Sequence, residues 1–150
     1  MTGKVYTSAQ AAKEPWLPVL RELVRTYQAF ATCSGRHIAG LGLTASQFDV
    51  IATLGNTAGM TFKDLGEHTL ITKGALTGVI DRMEAKGLVK RVASQDDRRS
   101  MLAQLTPKGE TLFEKVFPTH IRYLSKRFMC LTDSERKELM KLLLKLKKTM

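Results

Sequence analysis

The spacing of apolar residues changes once between residues 71 and 105, and that change limits what the chain can fold into. In ITKGALTGVIDRMEAKGLVKRV, Leu76, Val79, Ile80 and Met83 recur at i, i+3, i+4 and i+7, the pattern of one helical face. Lys86-Gly87 then supplies a cation for the last turn and a glycine for the left-handed cap, so the helix should stop there. Beyond it, Leu88 to Ala93 and Ser100 to Leu105 read as two short strands, separated by the polar turn SQDDRR. The spacing predicts a helix followed by a hairpin, which then sits between helices.

The flanking segments read as helices with local start signals. Trp16, Leu20, Leu23, Val24, Tyr27, Phe30 and Ala31 mark a first helix from about Trp16, interrupted at Gly40 and Gly42. Thr44 to Gln47 is a capping box, in which each side chain satisfies a free backbone donor. It opens a helix that turns Phe48, Ile51 and Leu54 inward. Thr61 caps a short helix with Phe62 and Leu65 inward. Thr106-Pro107 starts another, with proline at the first helical position, running towards Leu124. Thr132 to Glu135 is a second capping box, opening a helix with a stripe of Leu139, Leu142, Leu143 and Leu146. The order is four helices, a hairpin and two helices. There is no internal repeat and no linker, so residues 1–150 are expected to form a single domain, mainly α.

Charge narrows the partner. The chain carries 24 Lys+Arg against 14 Asp+Glu, a net +10. Residues 1–75 hold 7 basic and 5 acidic side chains, whereas residues 76–150 hold 17 and 9. A basic half favours a polyanion, nucleic acid before an acidic membrane surface, with a solvated face as the plain alternative. No apolar run approaches the roughly 18 residues of a membrane span, and MTGKVYTSAQAAKEPW lacks a signal peptide's apolar core. The expected location is therefore the cytoplasm. Two cysteines, Cys33 and Cys130, make neither a disulfide framework nor a four-ligand zinc site.

Two short helices joined by a tight turn, then a hairpin with a basic tip, make a winged helix-turn-helix. In such a unit the second helix enters the major groove of DNA, and the hairpin reaches a neighbouring groove or the backbone. With Leu76, Val79, Ile80 and Met83 inward, Gly74, Thr77, Gly78 and Asp81 fall on the opposite face. Small side chains there let the backbone approach DNA closely. Thr72 is the expected cap, so helix-end donors can meet a phosphate, with Lys73 adding charge. Thr72, Lys73, Gly74, Ala75, Thr77, Gly78 and Arg82 are the expected recognition-helix contacts. Arg98 and Arg99 at the hairpin tip suit a narrow minor groove, where the potential is most negative, with Asp97 orienting them. A solvated turn with a local ion pair is the alternative for that string.

At these residues the chain resembles the MarR family (multiple antibiotic resistance regulators). The resemblance covers roughly Leu43 to Leu112. It rests on LTASQFDVIATL, on TFKDLGEHTLITKGALTGVIDRMEAKGLVKR, and on the wing SQDDRRSMLAQLTPKGETLF. The family's wing commonly reads D-x-x-D-R-R. Here Ser94 stands at the first aspartate, while Asp97, Arg98 and Arg99 match. That departure bears on one wing-bracing interaction and not on the wing itself. The resemblance implies a homodimer with intertwined N- and C-terminal helices: residues 16–42 and 106–150 for dimerisation, residues 43–105 as the DNA-binding lobe. It implies a repressor on an inverted-repeat operator, on the bacterial or archaeal nucleoid, responsive to a small aromatic or phenolic effector. Arg21, Arg25 and Tyr27 are candidate effector contacts, or surface and interface residues. The leucine stripe of the last helix independently fits an oligomer interface.

Other readings stand beside this one. Cys33, on or just after the end of the first helix, is followed by Arg36 and His37, which could lower its pKa and make it an oxidant sensor. An inert thiol is the plain alternative for both Cys33 and Cys130. A nonspecific architectural DNA-binding protein would share the same charge. Lys137, Lys141, Lys145, Lys147 and Lys148 suit a membrane-surface helix, but the apolar face there lacks aromatics. His37, His68 and His120 are scattered and read as non-ligands, so no metal and no cofactor is expected. No phosphate-binding glycine loop, nucleophile elbow or paired metal spacing is present, which argues against an enzyme and leaves no catalytic residues.

Overall fold

Threonine hydroxyls set most of the helix starts. A computed structural model of the chain describes residues 6–97 and 99–150; Arg98 of the expected wing tip lies outside the described residues. Two compact units are present, residues 6–36 and His37–Met150. The first holds a short helix α1 (Ser8–Ala11), which the apolar pattern did not predict. Thr7 closes a capping box with Gln10 at its start. Helix α2 runs Leu17–Gly40, so its first 20 residues belong to this unit. Trp16, Val19, Leu20, Val24, Tyr27 and Phe30 of this unit are exposed.

In the second unit the capping boxes form where the spacing placed them. Thr44 opens α3 (Ala45–Leu54) with Gln47. Thr61 accepts from the Asp64 N–H at the start of α4 (Phe62–His68). Helix α5 spans Lys73–Ala85 and ends at Lys86, with Gly87 at φ +69°. The hairpin follows as β2 (Val89–Ala93) and β3 (Met101–Leu105), antiparallel, with Arg91 opposite Ala103. A further strand, β1 (Met60–Thr61), pairs with β3 through Met60 and Ala103, giving the order β1-β3-β2. Thr106 opens α6 (Pro107–Phe128), and Thr132 and Glu135 open α7 (Asp133–Lys147).

The core of this unit sits under α5 and the sheet. Ile51, Leu54, Leu65, Ile80, Met83, Val89 and Val116 are fully buried there, each stabilising the fold by removing apolar surface from water. The sequence LTPKG knits α6 onto the end of α5. Thr106 Oγ1 donates to the Gly87 carbonyl at 2.5 Å and accepts from the Gly109 N–H at 3.1 Å. Lys108 Nζ donates to the Lys86 carbonyl at 2.8 Å, placing a cation on an α5 C-terminal oxygen. Gly109 is required because a Cβ there would overlap the Leu88 carbonyl oxygen. By contrast, no residue of α7 is buried, and Leu139, Leu142, Leu143 and Leu146 all stand exposed.

Candidate nucleic-acid interface

The turn between α4 and α5 is braced from beneath by α3. Asp49 Oδ2 accepts the Leu70 N–H at 2.8 Å. Partial burial of Asp49 pushes its carboxyl above the usual carboxylate range, and the Leu70 hydrogen bond opposes that shift. This fixes how α5 leaves α4. Leu76, Val79, Ile80 and Met83 point into the core, as the spacing predicted, and Lys73, Gly74, Ala75, Thr77 and Arg82 are exposed. Gly78 is half-buried, with the Arg82 guanidinium reaching back across it. A Cβ at Gly74 would meet nothing within 4 Å, so packing does not demand that glycine. Thr72 occupies the cap position of α5, but its side chain makes no capping hydrogen bond. Thr44, Thr61, Thr106 and Thr132 all do.

The hairpin turn is shaped by two short polar side chains, those of Ser94 and Asp97. Ser94 Oγ accepts the N–H groups of Asp96 and Asp97 at 3.3 and 3.4 Å. Asp97 Oδ1 accepts the Arg99 N–H at 2.9 Å, so Asp97 acts on the backbone of the arginine. Ser94 therefore braces the turn from the position where an aspartate was expected. Between the hairpin, α4 and α5 lies a cleft of about 580 Å³ faced by Lys63, Thr77, Arg91 and Arg99. Two expected contacts, Thr77 and Arg99, meet there. Lys63 and Arg91 were missed by the sequence reading.

This geometry has close counterparts among known proteins. A family model described as MarR family matches residues 41–100. The HTH-type transcriptional regulator MhqR of Bacillus subtilis is 32% identical over 113 residues, 75% of this chain and 78% of that protein. The chain belongs to the MarR family. Among solved structures, BpsR of Bordetella bronchiseptica, described with regulation of its DNA binding by 6-hydroxynicotinic acid, superposes with a TM-score of 0.76. It shares 30% identity, with 89% of this chain and 96% of that one covered. NadR in complex with 4-hydroxyphenylacetate gives a TM-score of 0.74 at 26% identity, covering 88% and 94%. This MarR-family chain is a DNA-binding transcription regulator and not an enzyme. No described helix is long and apolar enough to cross a membrane.

Elsewhere in the MarR-family chain, folding gathers residues that the sequence scatters. His37 and His120 face each other with their Nδ1 atoms 2.9 Å apart. Tyr123 stacks on His37 at 3.9 Å between ring centroids, and Phe48 meets His120 edge-on at 4.7 Å. Burial, reinforced by His37, holds the His120 imidazole below its ordinary pKa. Among the described residues no three His, Cys, Asp or Glu side chains converge as a metal site. Cys33 is half-buried inside α2, seven residues before its last residue, which corrects its expected place at or beyond the helix end. Cys130 is exposed. Arg21, Arg25 and Tyr27 are exposed on α2, with Arg25 paired to Glu22 at 3.2 Å.

Proposed function

We propose that the chain binds duplex DNA sequence-specifically as a homodimer, acting as a repressor on an inverted-repeat operator. The observation that carries this reading is the shared cleft of α4, α5 and the hairpin. There Thr77 of the glycine- and threonine-rich helix face lies beside the cations Lys63 and Arg99. Small side chains let α5 seat deeply in the major groove, where base edges are distinguishable. Thr72, Lys73, Gly74, Ala75, Thr77, Gly78 and Arg82 make the groove contacts, and Arg98 and Arg99 reach the adjacent minor groove, with Asp97 setting their turn.

Residues 16–42 and 106–150 form the dimer. Exposed apolar residues on α2 and along α7 support this, because a stripe of that size rarely stays solvated. Two α5 helices related by a two-fold axis read half-sites about one helical turn apart. The effector is a small aromatic acid. Its carboxylate would suit Arg21 or Arg25, and its ring Tyr27. The aromatic acids named with BpsR and NadR support that class.

The test is selection of duplexes from a randomised pool by the intact chain, followed by titration of the winner against random DNA. A palindromic winner that beats random DNA by at least roughly 10³-fold at fixed salt is expected. If the pool never converges, the protein is a nonspecific binder and the reading fails.

A further inference from the structure

Arg91 lies on β2 and lines the cleft shared with Lys63, Thr77 and Arg99, and its side chain touches two helices. Its two terminal nitrogens pair separately with Asp81 and Glu84 of α5. Its guanidinium lies 5.4 Å from the ring centroid of Phe62, at the start of α4. Its backbone is opposite Ala103 of β3, which also pairs with Met60 of β1. The side chain is three-quarters buried, whereas both carboxylates are more exposed.

Asp81 and Glu84 are three residues apart, so they share one side of α5. A planar fork can serve both at once, and its flat face can rest on an aromatic ring. An isolated exposed ion pair contributes little to stability. Here one ordered side chain serves three contacts, and those contacts join the recognition helix to the strand that carries the wing. The position of the acids matters too. Asp81 follows Gly74, Thr77 and Gly78 on the outward face, where an unpaired carboxylate would repel phosphate.

Resting on the DNA-binding reading above, we infer that Arg91 is a positioning residue for sequence recognition. It fixes the angle between α5 and the wing, so that both reach their grooves together, and it masks the two carboxylates of α5.

The experiment uses the full chain, the duplex it selects and a random duplex of equal length. Four variants are compared with wild type: Arg91→Met, Arg91→Lys, the pair Asp81→Asn with Glu84→Gln, and all three positions together (with Met at 91). Arg91→Met should lower the selected-to-random affinity ratio at least 10-fold. Its log–log salt slope should stay at the wild-type value, because no phosphate contact is lost. Arg91→Lys should recover affinity for random DNA but not the ratio. The carboxamide pair should bind random DNA more tightly and also lose ratio, and adding Arg91→Met to it should cost nothing further. Independently of DNA, amide exchange in residues 81–85 and 90–93 should speed up together in Arg91→Met and in the carboxamide pair. The exposed acids make that pair the variant of choice if Arg91→Met fails to fold. A slope reduced by about 1.8, one phosphate lost in each protomer of the dimer, would make Arg91 a direct phosphate contact and overturn the inference. So would an equal loss of ratio with and without the carboxylates, or unchanged exchange. If wild type prefers no duplex, the DNA reading fails, and the exchange measurement still decides whether Arg91 couples helix to wing.

Discussion

The imidazoles of His37 and His120, 83 residues apart in the chain, share a 2.9 Å contact between their Nδ1 atoms. One ring must donate and the other accept, so the pair holds at most one extra proton without breaking the contact. His120 is only 2% exposed, and burial with the nearby His37 lowers its pKa from 6.5. A base with a depressed folded pKa binds fewer protons when folded than when unfolded. Its contribution to stability is therefore present above pH about 6.5 and is lost as pH falls through the folded value. The melting temperature should fall between about pH 7.5 and pH 5, and His120→Asn should flatten that fall. An unchanged pH profile in the variant would remove His120 as its source.

Two glycines should respond oppositely to the same substitution. At Gly74 a Cβ meets nothing within 4 Å, so Gly74→Ala should raise helix stability by about 0.5–1 kcal/mol. A bulkier side chain there should leave the fold intact and erase the preference for a selected duplex, because α5 no longer seats in the groove. At Gly109 the Cβ would overlap the Leu88 carbonyl oxygen, so Gly109→Ala should destabilise by roughly 1–3 kcal/mol through overpacking. Thermal melts with DNA titrations check both. Loss of stability at Gly74 would contradict the open surface.

Arg99→Ala should weaken binding to the selected duplex by about 1–3 kcal/mol while preserving helical content. The Arg99 N–H, held by Asp97 Oδ1, keeps its hydrogen bond in that variant, so the turn is retained. Asp97→Ala should weaken binding as well, by loosening the turn rather than removing a cation. The two are separated by salt: only Arg99→Ala should reduce the log–log slope if Arg99 reaches a phosphate. Equal slopes in both variants would place Arg99 away from the backbone.

What was legible in the sequence was local. Thr44 with Gln47, and Thr132 with Glu135, announce helices because a capping box needs only three residues of separation. Gly87 stops α5 where its positive φ is needed. Strand β1 was not legible, because its two residues are defined only by pairing with Ala103 and Leu102 across the chain. The histidine pair and the Arg91 fork share that character. A signal for the fork did exist: Asp81 and Glu84 sit at i and i+3 before an arginine in the following strand. Arg98 and Arg99 stand out at the turn, whereas nothing within β2 itself marks Arg91, whose partners lie 7 and 10 residues away. Thr72 was legible as a cap position but not in its lack of a side-chain bond.

The exposed leucines of α7 make the dimer the most exposed part of the proposal to a direct measurement. Leu139 and Leu143 are 44% and 43% exposed, so nearly half of each surface is available to a partner. They also line an apolar groove of about 330 Å³ with Phe128 and Leu131. Covering half a leucine contributes about 1 kcal/mol, so four such side chains per dimer contribute about 4 kcal/mol. Replacing both with Gln should therefore leave helical content intact, since no residue of α7 is buried within the chain. It should raise the dimer dissociation constant by about a thousandfold, each 1.4 kcal/mol being a factor of ten. Affinity for the selected palindrome should fall with it, because a monomer keeps one recognition helix and half the phosphate contacts. Sedimentation and light scattering across a concentration series read the association state. A wild-type chain that stays monomeric at every concentration, yet still prefers the palindrome, would move the two-fold axis out of the protein and remove α7 from the mechanism.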